Sequence, residues 1–375
     1  MRGMSLFLLV LIAAGFYAFI GQPSSGQTPS HNIATVISVN NERVTIIGTG
    51  RLGDQQLTVA LKNGTQVQLQ NLLTGALEFD EFYQPGDHVV VAQMNGRYTL
   101  VARYRLPMLI ALTLAFAIGL LAYARKVGLY ALLSFIGSIG IIFGLLIPGL
   151  LAGFAPLLIT GLTVVVLSSM IILSVAGWTY KGKAALSGTV IGLIFTLLLC
   201  VAVGKLLHLD GMTQPVAQAL LFENGMRLNM VGILYAAILI GASGAAMDVA
   251  MEMAATMEEI KFNSPDISRS NLMKSGLRVG NAVIGTMTTT LLLAYAGGFL
   301  TLLMLFASRG NSLMQILNMK LIASEITRTL IGSIALIIVA PTTAWIASLM
   351  LTKERPKGTA EKAQRPAGAA DSAAA

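Results

Sequence analysis

A chain of 375 residues that is 55% hydrophobic and only 11% charged, with a mean hydropathy of +0.75, lies outside the composition of soluble globular proteins and reads as a polytopic membrane protein. Its net charge of +8 does not indicate nucleic acid as a partner, because the basic residues sit in small groups between apolar runs rather than along a stripe. Cys200 is the single cysteine, which excludes an internal disulfide and a thiolate metal site; His31, His88 and His208 are far apart in sequence and outside the apolar runs, giving no support to a histidine metal centre.

In chain order, the first apolar run (5–20) follows Arg2. A cleavable signal peptide competes with an uncleaved anchor there, and the absence of a clear small-x-small cleavage site favours an N-terminal anchor over 1–24. Residues 31–105 change character. "ATVISV", "RVTII", "QLTVAL", "TQVQLQ", "HVVVAQ" and "YTLVAR" alternate apolar and polar residues with a period of two, as half-buried strands do. "VNNERV", "LKNGTQ" and "QMNGRY" supply Asn-Asn and Asn-Gly pairs suited to tight hairpin turns. These features predict a small antiparallel β domain, an OB-like barrel of five or six strands. Oligonucleotide binding does not follow from such a fold, since the module mixes basic and acidic residues and is expected outside the cell.

Seven further apolar runs, at 106–123, 128–147, 154–176, 185–206, 230–255, 281–305 and 329–350, bring the candidate spans to eight, each close to the ~20 residues that cross a bilayer. They form the predicted transmembrane bundle, 106–352. Arg125 and Lys126, Lys181 and Lys183, the group from Lys261 to Arg278, and Lys353 to Lys357 fall on alternate connections. By the positive-inside rule these connections are cytoplasmic, which puts both termini inside and the β domain outside. The Ala-, Pro- and charge-rich segment 353–375 reads as a disordered cytoplasmic tail.

Three carboxylates fall at or near membrane depth: Asp248 and Glu252 in the sixth run and Glu325 at the outer edge of the last. An ionisable residue at mid-helix costs about 2.5–3.5 kcal/mol on insertion scales, so it is by default a functional candidate facing protein or water. Asp248 and Glu252 are four apart and share a helix face with Gly244 above and Glu259 below. The small residues of "GASGAA", including Gly241 and Gly244, allow another helix to pack closely, which would seal the acidic pair inside the bundle. No Lys, Arg or His lies at membrane depth beside it, so it is expected to hold a proton or bind a cation. Nearby hydrogen-bonding groups come from "NAVIGTMTTTLLL", with Asn281, Thr286, Thr288, Thr289 and Thr290. The alternative is that Glu252 lies at the cytoplasmic interface and Asp248 only bonds a neighbouring helix. Met247, Met251, Met253 and Met257 suit soft-metal binding less well than the filling of irregular apolar packing. No nucleophile elbow, HExxH or phosphate-binding glycine loop is present, so neither enzymatic activity nor a cofactor is expected.

"GASGAAMDVAMEMAATMEEI", within a chain built as one span, a β-rich domain and a helical bundle, resembles the YibE/F family of bacterial membrane proteins over most of its length. "GAAMDVA" (Gly244–Ala250) also fits the Gly-x-x-x-Asp-x-Ala pattern of a core helix in RND and MMPL permeases and is similar to the Asp helix of SecD/SecF. The order of a charged helix end, a basic connection and a threonine-bearing span in "SRSNLMKSGLRVGNAVIGTMTTTLLLAYAGG" is similar too. This second resemblance implies coupling to a proton or sodium gradient, with Asp248 as the coupling carboxylate and Thr289 or Thr290 beside it. The small β module and the single bundle depart from those permeases. The expectation is an ion-coupled, permease-like protein of the bacterial cytoplasmic membrane, surrounded by lipid, with a homo-oligomer or a paired membrane protein supplying a missing half. The competing expectation is a non-transporting scaffold or sensor whose β domain binds a partner.

Overall fold

The computed structural model describes residues 30–352 apart from 78, 215, 224 and 226. The anchor expected over 1–24 and the tail expected over 353–375 fall outside the described residues. Two compact units divide at Arg125.

The first unit contains five antiparallel strands: β1 (Ser30–Ile47), β2 (Gly50–Leu61), β3 (Gln66–Thr74), β4 (His88–Met94) and β5 (Arg97–Arg103). Their order, β3-β2-β1-β4-β5, places the long β1 at the centre, paired with β2 along most of its length and with β4 through its first residues. The sheet curls into a nearly closed barrel around Val36, Leu57, Val59, Leu69, Val89 and Val91. These residues come from the alternating segments read in the sequence. Two of the expected turns form: Gly64 follows Asn63 between β2 and β3, and Asn95-Gly96 joins β4 to β5, with positive φ at Gly64, Asn95 and Gly96 as tight hairpins require.

"VNNERV" is not a turn. Asn40 to Arg43 form a register shift inside β1, where the Asn40 side chain accepts the Glu42 N–H at 2.8 Å. The local hydrogen bond supports a bulge, and the strand continues. The hairpin lies beyond it, at Gly48-Thr49, and so the first two expected strands are one.

Residues between β3 and β4 are tied down by polar contacts. Gln55 is fully buried, but its amide donates to Asn41 and to the Tyr83 carbonyl and accepts from the Tyr83 N–H and from Asn71, so its burial leaves no group unpaired. Arg105 donates to Glu81 at 2.7 Å. Burial alone raises the Glu81 carboxyl, yet the hydrogen bond and charge of Arg105, with smaller contributions from Tyr83 and Arg103, outweigh it and hold the group below its ordinary 4.5. A folded-state value below the unfolded one stabilises the fold above pH ~4.5 and stops doing so as pH falls through the lowered value. Arg105→Gln is therefore expected to weaken amide-exchange protection of β3–β5 at neutral pH by up to about 1 kcal/mol, as for a part-exposed pair. The difference from wild type should vanish in acid below the Glu81 transition.

The second unit is helical. Its elements, with the helix that leads into it, are α1 (Leu106–Ile141), a π-helical turn (Ile142–Leu146), α2 (Ile147–Leu151), α3 (Pro156–Ala176), α4 (Tyr180–Leu206), α5 (Ala217–Glu223), α6 (Met230–Asn263), α7 (Arg269–Gly298), α8 (Leu300–Ser308), α9 (Leu313–Asn318) and α10 (Lys320–Thr352). Six helical stretches among the described residues are long and apolar enough to cross a membrane. The runs 106–123 and 128–147 share one of these, Leu106–Leu151, which is broken at Arg125 by non-helical backbone (φ 47°, ψ −117°). The run 281–305 is not one helix: α7 ends at Gly297-Gly298, residues of poor helix propensity, and Phe299 leaves helical geometry before α8 begins. The last helix starts earlier than its apolar run, at Lys320.

α6 and α10 are the most buried of these helices, and α7 is the least. Small residues let them approach closely. A Cβ on Gly188 of α4 would lie 2.0 Å from the Thr343 hydroxyl of α10, and one on Gly192 would lie 2.1 Å from a Val339 methyl. Met253 and Met257 of α6 pack over Gly280 and Gly276 of α7, so these two methionines fill core space, while Met247 is also buried. Polar links join segments that the charge pattern places on one side. Lys181 pairs with Glu258 at one end; at the other, Lys320 pairs with Asp210 and Thr213 bonds Ser324.

Candidate functional site

α6 begins with Asn229 capping the Gly232 N–H at 2.9 Å and runs unbroken to Asn263, which puts Asp248 near the middle of a 34-residue helix. Three of its sides carry Leu239, Ala246, Val249, Ala250, Met253 and Met257 into the core. The fourth is Gly241, Gly244, Asp248, Glu252, Ala255 and Glu259, all exposed. The acidic stripe forms as the four-residue spacing requires, but among the described residues of one chain nothing seals it. A Cβ on Gly244 would meet nothing within 4 Å, whereas one on Gly241 would come within 2.7 Å of the Tyr295 hydroxyl of α7. Gly241 therefore packs against a neighbouring helix and Gly244 does not. The reason is that the larger apolar side chains of α6 outcompete the small-acidic face for the core.

Met257 over Gly276 and Met253 over Gly280 set the antiparallel register of α6 and α7. Continued in four-residue steps, that register brings Asn281 level with Glu252, Gly285 and Thr286 level with Asp248, and Thr289 and Thr290 level with Gly244. Asn281, Thr286, Thr289 and Thr290 are all exposed on α7. The Thr286, Thr289 and Thr290 hydroxyls donate to carbonyls of their own helix, at 3.0 Å to Val283, 3.3 Å to Gly285 and 3.0 Å to Thr286 respectively. Their lone pairs remain as acceptors for a protonated carboxyl or as ligands for a cation. Among the described residues no hydrogen bond or ion pair holds the Asp248 carboxylate; its electrostatic neighbour is Glu252, one turn away.

The end of the helical unit opposite the Lys181–Glu258 pair holds a polar group that spacing alone does not reveal. Glu325 and Arg328, three apart on α10, are paired at 3.3 Å with both side chains largely buried. Arg328 also donates to Gln214 at 3.0 Å. Tyr295 lies within electrostatic reach of both charges and next to Gly241. Glu325 stands out in the sequence as an acid in an apolar helix. Arg328 reads there only as the end of a loop, because the helix begins before the apolar run does.

A barrel-like β domain followed by a unit of apolar helices, one of which carries a carboxylate at mid-length, defines a multi-pass membrane protein. Residues 112–353 match the YibE/F-like protein family, more than half of the 375-residue chain, and the chain belongs to that family. No curated protein and no solved structure gave a match. The comparisons lend no support to the likeness with RND, MMPL and SecD/SecF permeases.

Proposed function

We propose that the helical unit is an ion-coupled, permease-like device, using protons or sodium ions, in the cytoplasmic membrane of a bacterium, with Asp248 as the coupling carboxylate. The observation that carries this reading is a file of polar groups running the length of the bundle. It begins at Glu325, Arg328 and Tyr295, reaches α6 at Gly241, and continues along one face through Asp248 and Glu252 to Glu259. Successive members on α6 are about 6 or 10 Å apart at 1.5 Å of rise per residue, distances that a short water chain or a moving cation bridges. A carboxylate with no cationic partner at membrane depth is costly unless its charge is used or neutralised. The acceptor oxygens of Thr286 at the same level, and of Thr289 one turn away, suit either ion. The remote likeness of Gly244–Ala250 to the Asp helix of RND permeases runs in the same direction without adding weight.

The test is flux in proteoliposomes under an imposed proton or sodium gradient. Wild-type protein is expected to dissipate one of the two gradients, and Asp248→Asn, which keeps the shape but cannot release a proton or carry charge, to lose at least tenfold of that flux while staying folded. Flux unchanged in Asp248→Asn would overturn the assignment. Wild-type flux no higher than in empty vesicles for both ions would favour a scaffold or sensor.

A further inference from the structure

We infer that the exposed face shared by α6 and α7 receives a second copy of this chain, and that the Asp248 site is complete only in the resulting twofold dimer. Two rows face outward together. On α6 the row ends in Asp248, Glu252 and Glu259; on α7 the corresponding exposed row is Lys274, Arg278, Asn281, Gly285 and Thr289. The register fixed by Met257 over Gly276 and Met253 over Gly280 brings Lys274 level with Glu259 and Arg278 within one turn of Glu252. Yet among the described residues none of these four charged groups joins an ion pair; Glu259 accepts only from Asn263, four residues along its own helix.

An acidic row and a basic row at equal depth on adjacent helices form a self-complementary surface. A twofold axis along the bilayer normal preserves depth, so the acids of each copy meet the bases of the other, as an isologous contact requires. The upper part of the same face consists of Gly244 and Gly285, both with open space beside them, and hydroxyl-bearing residues. These residues allow the backbones of two bundles to approach closely, which is how helices associate in lipid. Lipid tails would leave Asp248 unsatisfied. The chain's own apolar segment 5–20 contains no charged residue and could not pair with either row. In the dimer the two Asp248 side chains and the Asn281, Thr286 and Thr289 side chains of both copies border one polar passage. That role for Asp248 rests on the ion-coupling reading, but the interface stands on the charge and size pattern alone.

The experiment uses full-length protein in native membranes, with Cys200→Ala as background and two differently tagged copies expressed together. One copy carries Glu259→Cys and the other Lys274→Cys. Oxidation is expected to yield a product bearing both tags at no less than ten times the amount given by Val175→Cys, on an exposed position at the same end of the bundle in α3, paired with Lys274→Cys. A yield equal to that control overturns the proposal. Glu259→Lys is expected to shift the detergent-extracted protein from dimer to monomer, and Glu259→Lys/Lys274→Glu to restore the dimer; a dimer indifferent to both changes also overturns it. A photo-crosslinker at position 244, where a side chain has open space, should capture a second copy. Capture of lipid or of residues 5–20 of the same chain counts against the proposal. These readouts need no gradient, so a missing crosslink rejects the interface while the flux of Asp248→Asn separately judges the ion-coupling reading.

Discussion

Gly188→Leu is expected to prevent the helical unit from assembling, so that the full-length protein is recovered as aggregate or degraded, while Gly161→Leu is expected to be recovered folded. The two glycines lie in neighbouring apolar helices but meet different surroundings. A Cβ at 161 has nothing within 4 Å. A Cβ at 188 would lie 2.0 Å from the Thr343 hydroxyl, 2.9 Å from its Cβ and 3.0 Å from its Cα. The last of these is main chain, so no rotamer change relieves the clash and α10 itself must move. Gly192, one turn on, has the same relation to Val339, whose branched side chain has little rotamer freedom in a helix. Together they form a Gly-x-x-x-Gly contact of the kind that brings helices into van der Waals range in a bilayer. Separating α4 from α10 also unpacks α6, which both helices touch in the same core around Leu336, Ala340 and Met253. A cost of more than about 4 kcal/mol places this among the exceptional single substitutions. Monodispersity on size exclusion, with thermal stability of any recovered fraction, measures it. Wild-type yield and stability for Gly188→Leu would show that α4 and α10 are not in this contact in the membrane.

The same contact shows where sequence reading reaches its limit. Hydropathy finds the apolar segments because each is long enough to dominate a window, and period-two alternation finds the strands because one face of each is buried. Neither tells which side of a helix meets protein. "SGTVIG" and "GASGAA" are equally rich in small residues, yet Gly188 and Gly192 are pressed against α10 while Gly244 faces outward. Long-range competition decides between them: the sides of α6 that carry Leu239, Val249, Met253 and Met257, with Ala246, Ala250 and Ala254 between them, occupy the core. The Asn-Asn of β1 has a comparable explanation. Its turn chemistry is real, as the Asn40 to Glu42 hydrogen bond shows, but pairing with β2 on both sides of it converts a turn into a bulge. Asp248, Glu252 and the α7 hydroxyls were legible because polar groups are conspicuous against an apolar background. Arg328 was hidden because it lies before the apolar run begins.

Arg328 leads to the second large effect. Arg328→Leu is expected to destabilise the helical unit by about 3–5 kcal/mol, the usual cost of leaving one member of a buried ion pair alone; at a few degrees per kcal/mol this lowers the thermal midpoint by on the order of 10 °C. Glu325 is 8% exposed, and the Arg328 guanidinium at 3.3 Å is the cation that faces it. Glu325→Leu should cost less, because Arg328 keeps its hydrogen bond to Gln214 while losing its counter-charge. Glu325→Leu/Arg328→Leu should recover most of the loss, since a buried pair replaced by apolar side chains of similar volume avoids the desolvation of both charges. The predicted order of stability is therefore wild type close to the double variant, then Glu325→Leu, then Arg328→Leu. Thermal unfolding of the four proteins in the same detergent gives the coupling energy directly as a double-mutant cycle. A double variant no more stable than Arg328→Leu would mean that the two charges do not depend on each other and that Arg328 is held chiefly by Gln214. In the ion-coupling reading the double variant has a further use: it removes the charges at the outer end of the polar file while the fold survives, so its flux separates the part these charges play in ion entry from their part in stability.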